Sequence, residues 1–123
     1  MRKSRLRKHS PRRTLIYKAD RTLQDYYRAL GLKCWVCGRP EEVMHHIIEK
    51  SHSLRLRWEE KNLMPLCRSC HARHHLAGDP EIVATFIKKV GMRKFDELKK
   101  ESRIITKKSP KEIQEVIESF DKK

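Results

Sequence analysis

Two Cys-x-x-Cys pairs, Cys34/Cys37 and Cys67/Cys70, enclose a histidine doublet, His45-His46; Asn62 precedes the second pair, and His71 and His75 follow it. Cysteine pairs of this kind supply four thiolates to one tetrahedral zinc ion, while imidazoles at these spacings can build a second, reactive metal site beside it. Twenty-nine residues separate Cys37 from Cys67, more than a plain zinc ribbon needs, so zinc would staple the two ends of a segment that contains the doublet. His71 and His75 lie four apart on an expected helix and project from one face, where they can share a metal. In a strand, adjacent side chains point to opposite faces, so His45 and His46 are expected to do different work: one binds the metal and the other reaches a nucleophilic water.

The rest of the chain must position these groups and supply a partner for them. Its 123 residues suit one domain, and a net charge of +14 points to a polyanion, with nucleic acid ahead of a membrane surface. No apolar run approaches the length of a spanning helix, and the basic N-terminus lacks the apolar stretch of a signal peptide, so the expected location is the cytoplasm. In that reducing compartment the cysteine pairs favour zinc over disulfides.

Charge divides the chain. Residues 1–33 carry 11 basic and 2 acidic side chains, residues 34–75 carry 7 and 5, and residues 76–123 carry 12 and 9. The opening run, with Arg2, Lys3, Arg5, Arg7, Lys8, Arg12 and Arg13, is too charged to fold alone, and residues 1–13 are expected to be a mobile arm, either a solvated tail or an arm that orders on DNA by contacting phosphate. A core at 14–78 and a helical extension at 79–123 follow.

Periodicity places a helix from about 20, or earlier, to 30, closed by Gly31, with Tyr26 and Tyr27 expected in its core rather than on bases. Extended residues flank the doublet, residues 54–58 are ambiguous, and 62–67 reads as a second short strand. A helix should run from about 68 to 78, carrying Arg68 and Arg73 as further phosphate contacts. Asp79-Pro80 opens a helix that Gly91 closes, and another covers 92–101. Ser109-Pro110-Lys111-Glu112 combines an N-cap, a proline at N1 and a capping-box glutamate ahead of Ile113, Val116, Ile117 and Phe120. That apolar stripe can pack on the domain or form a homodimer seam, and packing is favoured.

The run Cys34-x-x-Cys37, His45-His46-Ile47-Ile48, Asn62-Leu63-Met64-Pro65-Leu66-Cys67-Arg68-Ser69-Cys70-His71 and His75 resembles the HNH endonuclease signature. The resemblance implies an α+β fold: a small ββα-metal core stapled by a four-cysteine zinc site, with an N-terminal helix and two to three C-terminal helices. It implies His45 as first ligand of a catalytic divalent ion, His71 and His75 as its helix ligands, His46 as general base, and Asn62 as the side chain that braces the loop and orients that base. It implies DNA as substrate and products bearing 5′-phosphate and 3′-hydroxyl. Many members carry Asp at the position of His45 and Asn at that of His71; the imidazoles here are closer to the bacterial-toxin nucleases. Imidazole accepts Zn, Ni, Mn and Co where carboxylate favours Mg, so Mg2+, Mn2+, Ni2+ and Zn2+ are all candidates. His74 matches no role.

A weaker similarity, in Leu54-Arg55-Leu56-Arg57-Trp58-Glu59-Glu60-Lys61-Asn62 and Phe86-Ile87-Lys88-Lys89-Val90-Gly91, is to the Rap/NinG-type recombination nucleases of lambdoid phages. It implies a phage or prophage setting and branched DNA. The alternative reading is a zinc-knuckle DNA-binding module without catalysis. The doublet and Asn62 argue against it, because a binding knuckle has no use for a base beside a ligand.

Overall fold

The computed structural model describes residues 10–77 and 80–123, except for the side chains of 75–77. Helix α1 spans Pro11–Arg28, strands β1 and β2 span Val43–His46 and Leu63–Leu66, and helices α2 to α5 span Arg68–Ala77, Pro80–Val90, Met92–Ser102 and Pro110–Asp121. The described residues thus form an α+β fold of five helices and one two-stranded antiparallel sheet. None of these helices is long and apolar enough to cross a membrane.

Helix α1 starts nine residues before the expected position near 20. Ser10 caps it, its hydroxyl accepting from the Arg13 N–H at 3.1 Å, and Pro11 occupies the first turn, where a missing N–H costs nothing. Arg12 and Arg13, grouped by charge with the arm, are therefore helical, while Arg2, Lys3, Arg5, Arg7 and Lys8 lie outside the described residues. Ala19, Leu23 and Tyr27 form a buried stripe at four-residue spacing. It packs along α5, whose Ile113, Ile117 and Phe120 are buried in the same cluster, so the last helix spends its stripe within the chain. Tyr26 and Tyr27 meet edge to face at 5.1 Å and both approach Phe120, which places the pair in this core. The capping box of α5 forms as expected: Glu112 N–H donates to Ser109 Oγ, and Ser109 N–H donates to the Glu112 carboxylate.

The sheet separates two apolar clusters. Its register pairs Val43 with Leu66, Met44 with Pro65, His45 with Met64 and His46 with Leu63. Met44 and Leu63 face the α1/α5 cluster; Val43, Met64 and Leu66 face a second cluster with the cysteines, Ile82, Phe86 and Leu98. Both outer edges of this small sheet are covered. Gln24 of α1 takes both backbone groups of Met44, donating to its carbonyl at 3.0 Å and accepting from its N–H at 2.9 Å. On the other side the Trp35 N–H donates to the Pro65 carbonyl at 3.0 Å, and proline, with no N–H to offer, is tolerated there.

Candidate active site

The four cysteines meet. Their sulfurs all lie within 4.8 Å of one another, with Cys37 and Cys67 at 3.6 Å. Tetrahedral zinc with Zn–S near 2.3 Å would place sulfurs about 3.8 Å apart, so this cluster fits one zinc ion. Gly38, at φ 78°, turns the knuckle so that its N–H donates to the Cys34 carbonyl, and the Cys70 N–H points at Cys67 Sγ, 3.5 Å away. Burial opposes ionisation of Cys34, but N–H groups of Val36, Cys37 and Cys67 outweigh it and bring its pKa down to about 7. Burial and the neighbouring sulfurs push the Cys70 thiol well up. Four crowded sulfurs cannot all ionise without a cation, and a divalent ion resolves that conflict. The knuckle is docked on α3 by Trp35, whose ring stacks on Phe86 at 6.2 Å.

Beyond the cysteine cluster, strand alternation sends the doublet in two directions. His45, 5% exposed, points towards α2, its ring 5.3 Å from that of His71. His46 points the other way, and its Nε2 lies 2.8 Å from the Arg57 carbonyl. A carbonyl only accepts, so Nε2 carries the proton and Nδ1 of the neutral ring is left as an acceptor. Burial lowers the His46 pKa, against the opposing pull of the Arg57 carbonyl, which keeps the ring neutral at neutral pH. A cavity of about 450 Å³ is lined by both histidines of the doublet, by His71 and His74, and by Lys50 and Arg57.

Asn62 is fully buried between β1 and β2. Its Oδ1 accepts from the Ile48 N–H at 2.8 Å, and its Nδ2 donates to the carbonyls of Ile48 at 3.0 Å and Leu56 at 3.3 Å. One side chain thereby ties the start of the loop after His46 to the turn that carries Arg57. These bonds reach the backbone two residues after His46.

Of the three imidazoles expected on a catalytic ion, His45 and His71 converge, while the side chain of His75 lies outside the described residues. His74, which matches no role in the sequence pattern, sits with its ring 4.5 Å from His45. Its position three residues after His71 is the available signal, since residues three apart share a helix face. Sequence reasoning also misses Gln24 and Arg57; each acts on the site through backbone groups, which leave no motif. Among the expected phosphate contacts, exposed Arg12 and Arg13 stand in the first turn of α1, with the Arg12 Nε donating to the Lys108 carbonyl at 3.3 Å. Arg68 is exposed at the start of α2, and Arg73 lies 3.3 Å from the Glu81 carboxylate.

No curated protein and no solved structure matches the chain. Residues 34–76, which hold both cysteine pairs, the doublet, Asn62 and the α2 imidazoles, match the family model of the HNH endonucleases.

Proposed function

We propose that this protein is a metal-dependent DNA endonuclease that hydrolyses phosphodiester bonds with little sequence preference. The observation that carries the reading is the division of labour in the doublet: His45 faces His71, while His46, anchored by Nε2 on a backbone carbonyl, borders the same cavity with Nδ1 available. His46 takes a proton from water at Nδ1, and that water attacks phosphorus as the bond from phosphorus to the 3′ oxygen breaks, the 3′ oxygen leaving as a hydroxyl with a proton from solvent. Asn62 holds the loop so that the ring keeps its direction. His45, His71 and His75 are the proposed holders of one divalent ion, which would supply positive charge to offset the negative charge that grows on the phosphate in the transition state. The four-cysteine cluster is proposed to hold a structural zinc that fixes the knuckle at 34–38 against the start of α2.

Substrate affinity is assigned to phosphate contacts from Arg2, Lys3, Arg5, Arg7, Lys8, Arg12, Arg13, Arg68 and Arg73, which carry no sequence information. Replacing the five basic residues among the first eight by Gln should flatten the dependence of log K on log salt. The slope is expected to fall by about 0.9 for each phosphate no longer neutralised, with weakening that is uniform across DNA sequences; binding titrations at several salt concentrations measure it.

The reading is tested by plasmid nicking with Mg2+, Mn2+, Ni2+ and Zn2+ in turn. Nicking that depends on added ion and disappears with His45→Ala or His71→Ala, while the cysteine-bound zinc remains, supports it. Tight binding without nicking under any ion would leave a zinc-knuckle binding module instead. The weaker resemblance of residues 54–62 and 86–91 to the Rap/NinG-type nucleases adds a phage or prophage setting and branched recombination intermediates to the proposal. Cleavage of a four-way junction in preference to a linear duplex in one gel would support that substrate, and equal cleavage would remove it.

A further inference from the structure

The turn at 54–58 carries the carbonyl that holds His46, yet it contains no helix or strand to hold itself. Within the matched segment it is held by the Arg57 N–H on the Leu54 carbonyl at 3.4 Å, by the Glu59 N–H on the Leu56 carbonyl at 3.2 Å, by Asn62 Nδ2 on the Leu56 carbonyl and by the Leu56 N–H on Ser53 Oγ at 3.2 Å. A further one comes from outside that segment. The Asp20 carboxylate on α1 receives the Arg57 guanidinium in a two-point fork, Nε to Oδ1 at 2.9 Å and Nη2 to Oδ2 at 2.6 Å, and also accepts from the Trp58 indole N–H at 2.9 Å. Each side chain of the ion pair is only 15% exposed, so the fork is shielded from water and resists screening.

We propose that Asp20 is a positioning residue for His46, acting through Arg57 and Trp58. This rests on the reading of His46 as the base. Fixing the Arg57 and Trp58 side chains to one carboxylate fixes the backbone between them, and with it the direction of the Arg57 carbonyl. That direction sets both the tautomer of His46 and the aim of Nδ1. A displacement of about 1 Å in a base can cost about 100-fold in rate, so a brace of this kind is worth more to turnover than to substrate affinity. The guanidinium is engaged by Asp20 and, at Nη1, by the Lys50 carbonyl at 3.4 Å, so Arg57 acts here as a brace; exposed Lys50 is the cavity cation suited to phosphate. Helix α1, which lies outside residues 34–76, is thereby part of the working site.

Asp20→Ala in the full chain should lower kcat about 10- to 100-fold with KM changed less than about twofold. Asp20→Asn should fall between, because its amide oxygen still accepts from Trp58 while the charge is lost. Independently of cleavage, the imidazole 15N spectrum of protein with zinc in its cysteine site and no further divalent ion added should show His46 protonated at Nε2 in the parent and a mixture of tautomers in Asp20→Ala. Should Asp20→Ala fail to fold, Trp58→Phe, which removes one bond to the carboxylate and keeps the packing, should show the same drift of tautomer and a smaller loss of kcat. A folded Asp20→Ala with parental kcat and a parental His46 spectrum overturns the proposal. A mixed tautomer with parental kcat upholds the positioning role and refutes the base.

Discussion

His46→Ala is expected to abolish nicking at neutral pH, with kcat reduced about 100- to 10,000-fold, the range a positioned general base contributes. The ring is anchored at Nε2 on a backbone carbonyl and does not face His71, so its removal should leave metal binding intact. KM for DNA should be nearly unchanged, because affinity is assigned to phosphate contacts elsewhere. The pH dependence follows from the same environment. Burial holds the pKa of His46 below its ordinary 6.5, so the active neutral form predominates through neutrality, and kcat/KM should decline only as acidity carries the pH below 6.5. Single-turnover cleavage between pH 5 and 8 measures both effects; equal rates in parent and variant would remove His46 from the chemistry.

Removal of the zinc proposed for the cysteine cluster is the other change expected to have a large effect. Cys34, Cys67 and Cys70 are buried members of the cluster beneath β1 and β2, so stripping zinc leaves crowded thiols in an apolar core as well as freeing the knuckle. Structural zinc binding is worth about 10–16 kcal/mol in small zinc domains, comparable with the entire stability of a domain of this size. Cys67→Ser, or a strong chelator, should therefore melt the sheet and the knuckle and abolish nicking. The α1/α5 pairing has its own cluster and should retain part of the helical signal. Elemental analysis should find one zinc per chain in the parent and almost none in the variant, and readdition of zinc should restore the chelated parent. A Cys67→Ser protein that unfolds cooperatively at the parental temperature would show that the cluster contributes little.

How much of the fold and the site is legible in the sequence depends on whether the signal is local. Helix α5 is legible because Ser109-Pro110 and Glu112 are a cap written in four consecutive residues. The same kind of cap, Ser10-Pro11, opens α1, but the run of positive charge around it points to an unfolded arm and moves the expected start to about residue 20. The opposite aims of His45 and His46 follow from strand alternation alone, and the meeting of the cysteines from their pairing. The turn at 54–58 is not legible, since it is held by side chains of Asn62 and Asp20 rather than by a period of its own. Gln24 on Met44 and Asp20 on Arg57 join residues 20 and 37 positions apart, and such contacts exist only once α1 lies against the sheet. His74 is hidden in the sequence because the four-residue spacing of His71 and His75 meets the expected pattern first, although a three-residue spacing shares the face as well.

X-ray absorption at the nickel edge, on protein with zinc in its cysteine site and one added equivalent of Ni2+, probes the second metal site directly. Imidazole scattering around nickel without sulfur, lost in the His45→Ala/His71→Ala variant while the zinc signal is unchanged, is the expected result. Nickel that stays unbound, or that is found among the cysteines, would contradict a catalytic ion held by histidines from β1 and α2.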